Sequence, residues 1–196
     1  MKKIYASFLV LALAALVACA KPPQTQIDQA KAALDAAKQA QADVYAPAAL
    51  KTAEDKAAEL DSEMAKQQSK FFKSYKETTK LTGELQQLAD TAKQDAVTGK
   101  EKAKTDAEAS ITAAETSVND AREALKKAPR GKGSRADIKA MEGDLDAAST
   151  SIDDAKTDMS GEKYIDAKTK ADGAKAAADK VKDAVAQAIQ MKHGRR

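Results

Sequence analysis

Few residues in this 196-residue chain carry side chains that do chemistry unaided. It has one cysteine, Cys19, and one histidine, His193, in the terminal run "MKHGRR". A single imidazole there leaves no serine or cysteine relay of the usual kind and no multi-histidine zinc site. Carboxylates are abundant, but they recur along helix-forming stretches with lysines four residues away, which is the pattern of weak ion pairs on solvated helix faces. The stretch "DLDAASTSIDD" lacks the glycine and the terminal glutamate spacing of a calcium loop. The loop "KKAPRGKGSR" gathers Lys126, Lys127, Arg130, Lys132 and Arg135 without an acid. It is no phosphate-binding loop, because Gly131-Lys132 is followed by Gly133, the earlier glycine is missing and no strand precedes it. A solvated loop is the expected reading, and a small positive patch touching anionic glycan or lipid headgroups is the alternative. No catalytic residue, metal site or cofactor is expected, so the chain reads as a non-enzyme.

The surroundings of Cys19 are more specific. Lys2 and Lys3 precede an apolar run from Ile4 to Leu16, and small residues follow to Ala18. This is the order of a secretory signal, residues 1–18, too short to span a bilayer stably. Leu16-Val17-Ala18-Cys19 resembles the lipobox of bacterial lipoproteins. The resemblance implies cleavage before Cys19, a diacylglycerol on its sulfur, and a further acyl chain such as palmitate on the new amino terminus. Several acyl chains, at about 0.8 kcal/mol per buried CH₂, would make the attachment permanent. Ala20 stands where many inner-membrane lipoproteins carry Asp, so the expected address is the outer membrane, facing the periplasm. Without the signal the charge balance falls to 31 basic against 30 acidic residues, which removes the basic excess a nucleic-acid binder uses.

The rest of the chain must position whatever surface it presents. Alanine, lysine, glutamate and glutamine dominate, with no Trp and four Pro, and these preferences predict an all-α fold. "KPPQTQ" reads as an extended spacer, so residues 19–25 form a tether. A first helix is expected from about Gln26 to Asp43, with Ile27, Ala30, Leu34, Ala37, Gln41 and Val44 on one stripe and Thr25 with Asp28 approximating a capping box. From Pro47, steps of three and four run through Leu50, Ala53, Ala57, Leu60, Met64, Gln67, Phe71, Ser74, Thr78, Leu81, Leu85, Leu88 and Ala92, which predicts one long helix of coiled-coil character. About 45 residues at 1.5 Å each would reach nearly 70 Å. Near Gly99 the stripe changes phase and Thr98 with Glu101 resembles another capping box. A kink or domain boundary is expected there, with an unbroken helix as the alternative. Stripes beginning at Ala107, Ile138 and Tyr164 predict three further helices joined by short connections. The expected architecture is therefore an elongated helical hairpin or coiled coil over residues 26–97, an antiparallel three-helix bundle over 98–192, and a polar tail over 193–196. A helix, a proline-bearing turn and a second helix recur in both halves, consistent with duplication or with shared Ala-rich composition alone.

One cluster invites a functional reading. "SKFFKSYKETTK" sets Phe71, Phe72 and Tyr75 among Lys70, Lys73, Lys76 and Lys80. The spacing places Phe71 on the buried seam, with lysine stems covering its flanks. The alternative is a membrane-surface or polyanion patch, and Phe72 and Tyr75, beside the seam, leave a partner-docking face open.

"AKAALDAAKQAQADVYAPAALKTAEDKAAEL" resembles a family of Ala-rich helical lipoproteins known only as a domain of unknown function, with a similar helix, Tyr-Ala-Pro turn and second helix. The likeness covers about Gln26 to Met64. Some relatives carry an OmpA-type peptidoglycan-binding domain that this chain lacks, and it ends in "HGRR" rather than in the terminal lysine of the murein lipoprotein, so peptidoglycan binding is not implied. The expected function is a lipid-anchored structural or adaptor element of the envelope, partnered by the membrane and by an envelope protein or a second copy. The alternative is a membrane- or stress-protective protein that orders on lipid or on drying, because "AKTKADGAKAAADKVKDAVAQAI" resembles Lys/Ala-rich desiccation repeats.

Overall fold

The computed structural model describes residues 21–129 and 134–193. The signal segment, Cys19, Arg130, Lys132 and the last three residues of the tail lie outside the described residues. The described chain is all-α, without a strand: α1 (Gln24–Gln39), α2 (Ala42–Tyr45), α3 (Pro47–Ser69), α4 (Lys76–Lys126), α5 (Ser134–Ser160) and α6 (Tyr164–His193). It divides into two compact units, Met1–Gly99 and Lys100–Arg196, and the boundary falls inside α4.

In the first unit, α1 and α3 form a hairpin. Lys31 pairs with Asp61 at 2.7 Å and Lys38 with Glu54 at 2.8 Å, so positions rise on one helix as they fall on the other. The first half of α4 returns antiparallel to α3, with Lys56 bridging to Glu84 at 3.1 Å. Ile27, Leu34, Leu50, Leu60, Leu81 and Leu85 form one core with seven buried alanines. Most of these are the residues the three-four spacing selects, because a helix brings such positions to one face; Ala42, Ala89 and Ala96 lie outside the expected stripes, and Ala89 is buried where the spacing selects Leu88. Pro47 occupies the first turn of α3, where its missing N–H costs nothing.

Three details differ from expectation. The first helix starts at Gln24 without a side-chain cap and stops at Gln39. Gln41 then takes a left-handed conformation, φ 61°, so Ala42 turns inward and Val44 outward. The run from Pro47 to Ala92 is two helices, separated by Lys70–Tyr75. Phe71 therefore leaves the seam, although Gln67 before it and Thr78 after it remain buried.

At Gly99 there is no break: α4 runs through it, and Ala96, Gly99 and Ala103 carry the stripe from Ala92 to Ala107 in steps of three or four. Thr98 caps nothing, since its hydroxyl donates to the Gln94 carbonyl at 3.0 Å within the helix. The glycine is explained by contact instead. A Cβ there would lie 2.6 Å from the Tyr45 carbonyl oxygen, so the turn of α2 packs directly on bare α4 backbone.

The second unit is a three-helix bundle. Arg122 to Asp146 at 2.8 Å and Glu115 to Lys156 at 2.7 Å set the second half of α4 antiparallel to α5. Lys170 to Asp158 at 2.6 Å sets α5 antiparallel to α6. Lys100–Glu162, Ser110–Asp172, Ser117–Asp179 and Asp120–Lys182 share an offset of 62 positions, which makes α4 and α6 parallel. Buried Ile111, Ala114, Val118 and Ala121 repeat the order of buried Ile27, Ala30, Leu34 and Ala37. Both units thus follow one plan: a helix, a proline-bearing turn, a return helix, and a third helix parallel to the first.

Ion pairs cover the outside of both units and give stability a pH dependence. The Lys56 contact, assisted by Lys80, holds Glu84 below the usual carboxylate range, Lys100 does the same to Glu162, and Lys168 and Lys175 lower Asp172 and Asp179. A carboxylate lowered in the fold contributes stability above its unfolded value and loses it as pH falls through the folded one. Partner lysines such as Lys156 and Lys170 are raised, and their contribution is lost as pH rises through the folded value. The melting temperature is therefore expected to fall below about pH 4 and again above about pH 10, with both losses shrinking in high salt. A profile flat down to about pH 2 would show that these pairs contribute nothing.

Candidate functional site

The feature of the first unit that burial does not explain is the turn between α3 and α4. Helix α3 ends at Ser69, and Lys70 is extended at φ −82°, ψ 142°. Gln67 holds the turn: its Oε1 accepts the Ser74 N–H at 3.0 Å, while its Nε2 donates to Glu63 Oε1 at 2.6 Å. On the far side, the Tyr75 carbonyl accepts both the Thr79 N–H and the Thr79 hydroxyl at 2.9 Å. Between these ties Phe71 and Phe72 stand outward, 87% and 76% exposed, their rings edge to face at 5.0 Å and 84°. The aromatic trio thus divides. Phe71 and Phe72 are brought together on the outside, while Tyr75 is half-buried.

The lysines divide as well. Lys80 lies between Glu77 and Glu84, at 3.6 and 3.7 Å. Lys66, Lys70, Lys73 and Lys76 are exposed and, among the described ion pairs, take part in none. No acid occurs from Met64 to Lys76, so the turn is a cationic segment around two exposed rings. The one local sign of the helix start after it is Ser74 followed by Glu77, the spacing of a capping box, with Glu77 in the first turn of α4.

Beneath the turn, Thr78 is fully buried, and its hydroxyl has no hydrogen-bond partner. Thr78→Val keeps the shape and removes the orphaned polar group, and is expected to raise stability by about 1 kcal/mol. The check is the denaturation midpoint; an unchanged or lowered midpoint would mean that the hydroxyl is satisfied in solution.

The second cluster is only partly described. Lys126 ends α4 and is engaged by Glu123 at 2.5 Å, while Lys127 and Arg135 are exposed on either side of the Arg130–Gly133 segment. Two of the five cations lie outside the described residues, and of the other three Lys126 is paired. His193 is the last residue of α6. A groove of about 570 Å³ between α4 and α5 is lined by Arg122, Glu123, Lys126, Ile138, Glu142 and Leu145, and Arg122 is already committed to Asp146 and Ser149. Among the described residues no cluster of His, Cys, Asp or Glu is grouped to hold a metal ion, and no helix is long and apolar enough to cross a membrane. Comparison with family models, curated proteins and solved structures finds no match to the chain.

Proposed function

We propose that this chain is a lipid-anchored, non-enzymatic helical protein of the bacterial cell envelope, tethered through acylated Cys19 to the periplasmic face of the outer membrane and serving as a structural or adaptor element. The observation that carries the reading is Leu16-Val17-Ala18-Cys19 directly after a basic and apolar leader. The tether suits the role, because Pro22 and Pro23 lead straight into α1 at Gln24. The helices supply ion-paired faces of the kind that present a surface to a protein partner or a second copy. Cys19→Ala is expected to abolish incorporation of labelled fatty acid and to leave unprocessed precursor in cells. Normal cleavage and membrane retention in that variant would overturn the anchor, and in-cell crosslinking would identify the partner.

The alternative is a stress-protective chain that orders on lipid or on drying, supported by the Lys/Ala-rich run within α6. Leu60, Leu85, Leu145 and Val185, each almost fully buried, favour a cooperative fold in buffer. Circular dichroism of the form lacking residues 1–19 separates the two: a sharp thermal melt supports the bundle, and helix appearing only with vesicles supports the alternative.

A further inference from the structure

We propose that the Lys70–Tyr75 turn is a membrane-contact tip: Phe71 and Phe72 enter the interfacial layer of an anionic phospholipid leaflet, and Lys66, Lys70, Lys73 and Lys76 lie against its phosphate groups. The position of that leaflet rests on the lipid-anchor reading; the contact itself rests on the geometry of the first unit.

The position of the turn is the first argument. Lys31 and Asp61 are paired across the α1–α3 hairpin. From that rung, Gln24 lies seven residues back along α1 and Ser69 eight residues on along α3, or about 10 and 12 Å towards the same end. The aromatic turn and the start of α1 therefore share one pole of the unit. Cys19 precedes Gln24 by five residues, a span of at most about 18 Å. A leaflet that holds an acyl chain on Cys19 is within reach of Phe71 and Phe72.

The chemistry of the turn is the second argument. Two adjacent phenylalanines exposed at 87% and 76% are costly to leave in water. They stand exposed on the turn between two antiparallel helices, which suits a fluid interface that opens its own cavity around the rings. The lysine stems can lie along the acyl boundary with their ammonium groups at the phosphates. Attraction between such a basic segment and an anionic leaflet is short-ranged, falling off within a Debye length. A tether that keeps the tip close is what makes the attraction effective.

The chain contains no tryptophan and one cysteine, which makes a direct test available. The chain from Cys19 onward, which includes every described residue, is coupled through its thiol to a maleimide phospholipid in vesicles containing phosphatidylglycerol. The tip is then presented whether or not cells acylate Cys19. Phe72→Trp is expected to give a blue-shifted indole emission that lipids brominated on their acyl chains quench. Val44→Trp, at the opposite pole, should keep aqueous emission. Lys70→Glu with Lys73→Glu, or replacement of phosphatidylglycerol by phosphatidylcholine, should weaken the quenching about threefold or more.

An indole at position 72 that stays as aqueous as the one at 44 would overturn the tip. So would shielding that appears without lipid and grows with protein concentration, which would assign the rings to a second copy, or shielding that appears only when another protein is added. Failure of acylation in cells would overturn the anchor alone, because the coupled chain still reports on the tip.

Discussion

Gly99→Ala is expected to destabilise the first unit by about 2 kcal/mol, although the same exchange in an exposed helix ordinarily gains up to about 1 kcal/mol. The Cβ would meet the Tyr45 carbonyl oxygen at 2.6 Å and the Tyr45 Cβ at 3.2 Å. The first of these is backbone, so relief cannot come from a rotamer change. Tyr45 closes α2, its N–H is bonded to the Gln41 carbonyl at 3.0 Å, and Pro47 follows two residues later. Moving its carbonyl means moving the whole connection between α1 and α3. Gly83, Gly143 and Gly173 supply the contrast, since nothing lies within 4 Å of a Cβ built at any of them. Each is expected to gain about 0.5 to 1 kcal/mol as alanine. Urea denaturation of the four variants tests the sign. A Gly99→Ala chain as stable as Gly173→Ala would mean that α2 does not rest on α4 in solution.

Leu60→Ala should cost more still, about 3 to 4 kcal/mol. Leu60 is fully buried and is one of six large apolar side chains in the first core, the other seven members being alanines. An alanine seam leaves little neighbouring mass to collapse into the vacated space, so the cavity term is expected at the upper part of its usual range. Leu85→Ala, also fully buried, should behave alike. Val97→Ala, on a residue 53% exposed, should stay within about 0.5 kcal/mol of the parent. A small loss at both leucines would indicate a core that is fluid in solution, and with it the conditional folding of the stress-protective reading.

The Gly99 and Phe71 positions show where local reading stops. In sequence Gly99 looks like a weak point, because glycine lowers helix propensity and the large apolar residues on either side suggest a change of phase. Its role is set by Tyr45, more than fifty positions away, and that contact leaves no local trace. Phe71 keeps perfect register with Gln67 and Thr78, and neither glycine nor proline marks the turn. The helix nevertheless stops near Ser69, at the level where α1 begins. Beyond that level no opposing stripe remains among the described residues to cover an apolar face, and folding back allows Leu81 and Leu85 to be buried instead. Gln41 is similar: its left-handed backbone shifts the inward position from Val44 to Ala42, a displacement that helical periodicity does not anticipate.

What the sequence by itself determined is the helical class, most of the inward-facing positions in each helix, and a single thiol set directly after a basic and apolar leader. Each of these follows from residue preference, periodicity or adjacency, which operate over a few residues. Only the tertiary structure decided where the Pro47–Ala92 run folds back, why α4 passes unbroken through Gly99, and that Phe71 and Phe72 stand out beside unpaired lysines at the pole where α1 begins. The physical reason is that a helix continues, turns or hides a side chain according to the partner length and surface available to it, and those belong to residues distant in the chain.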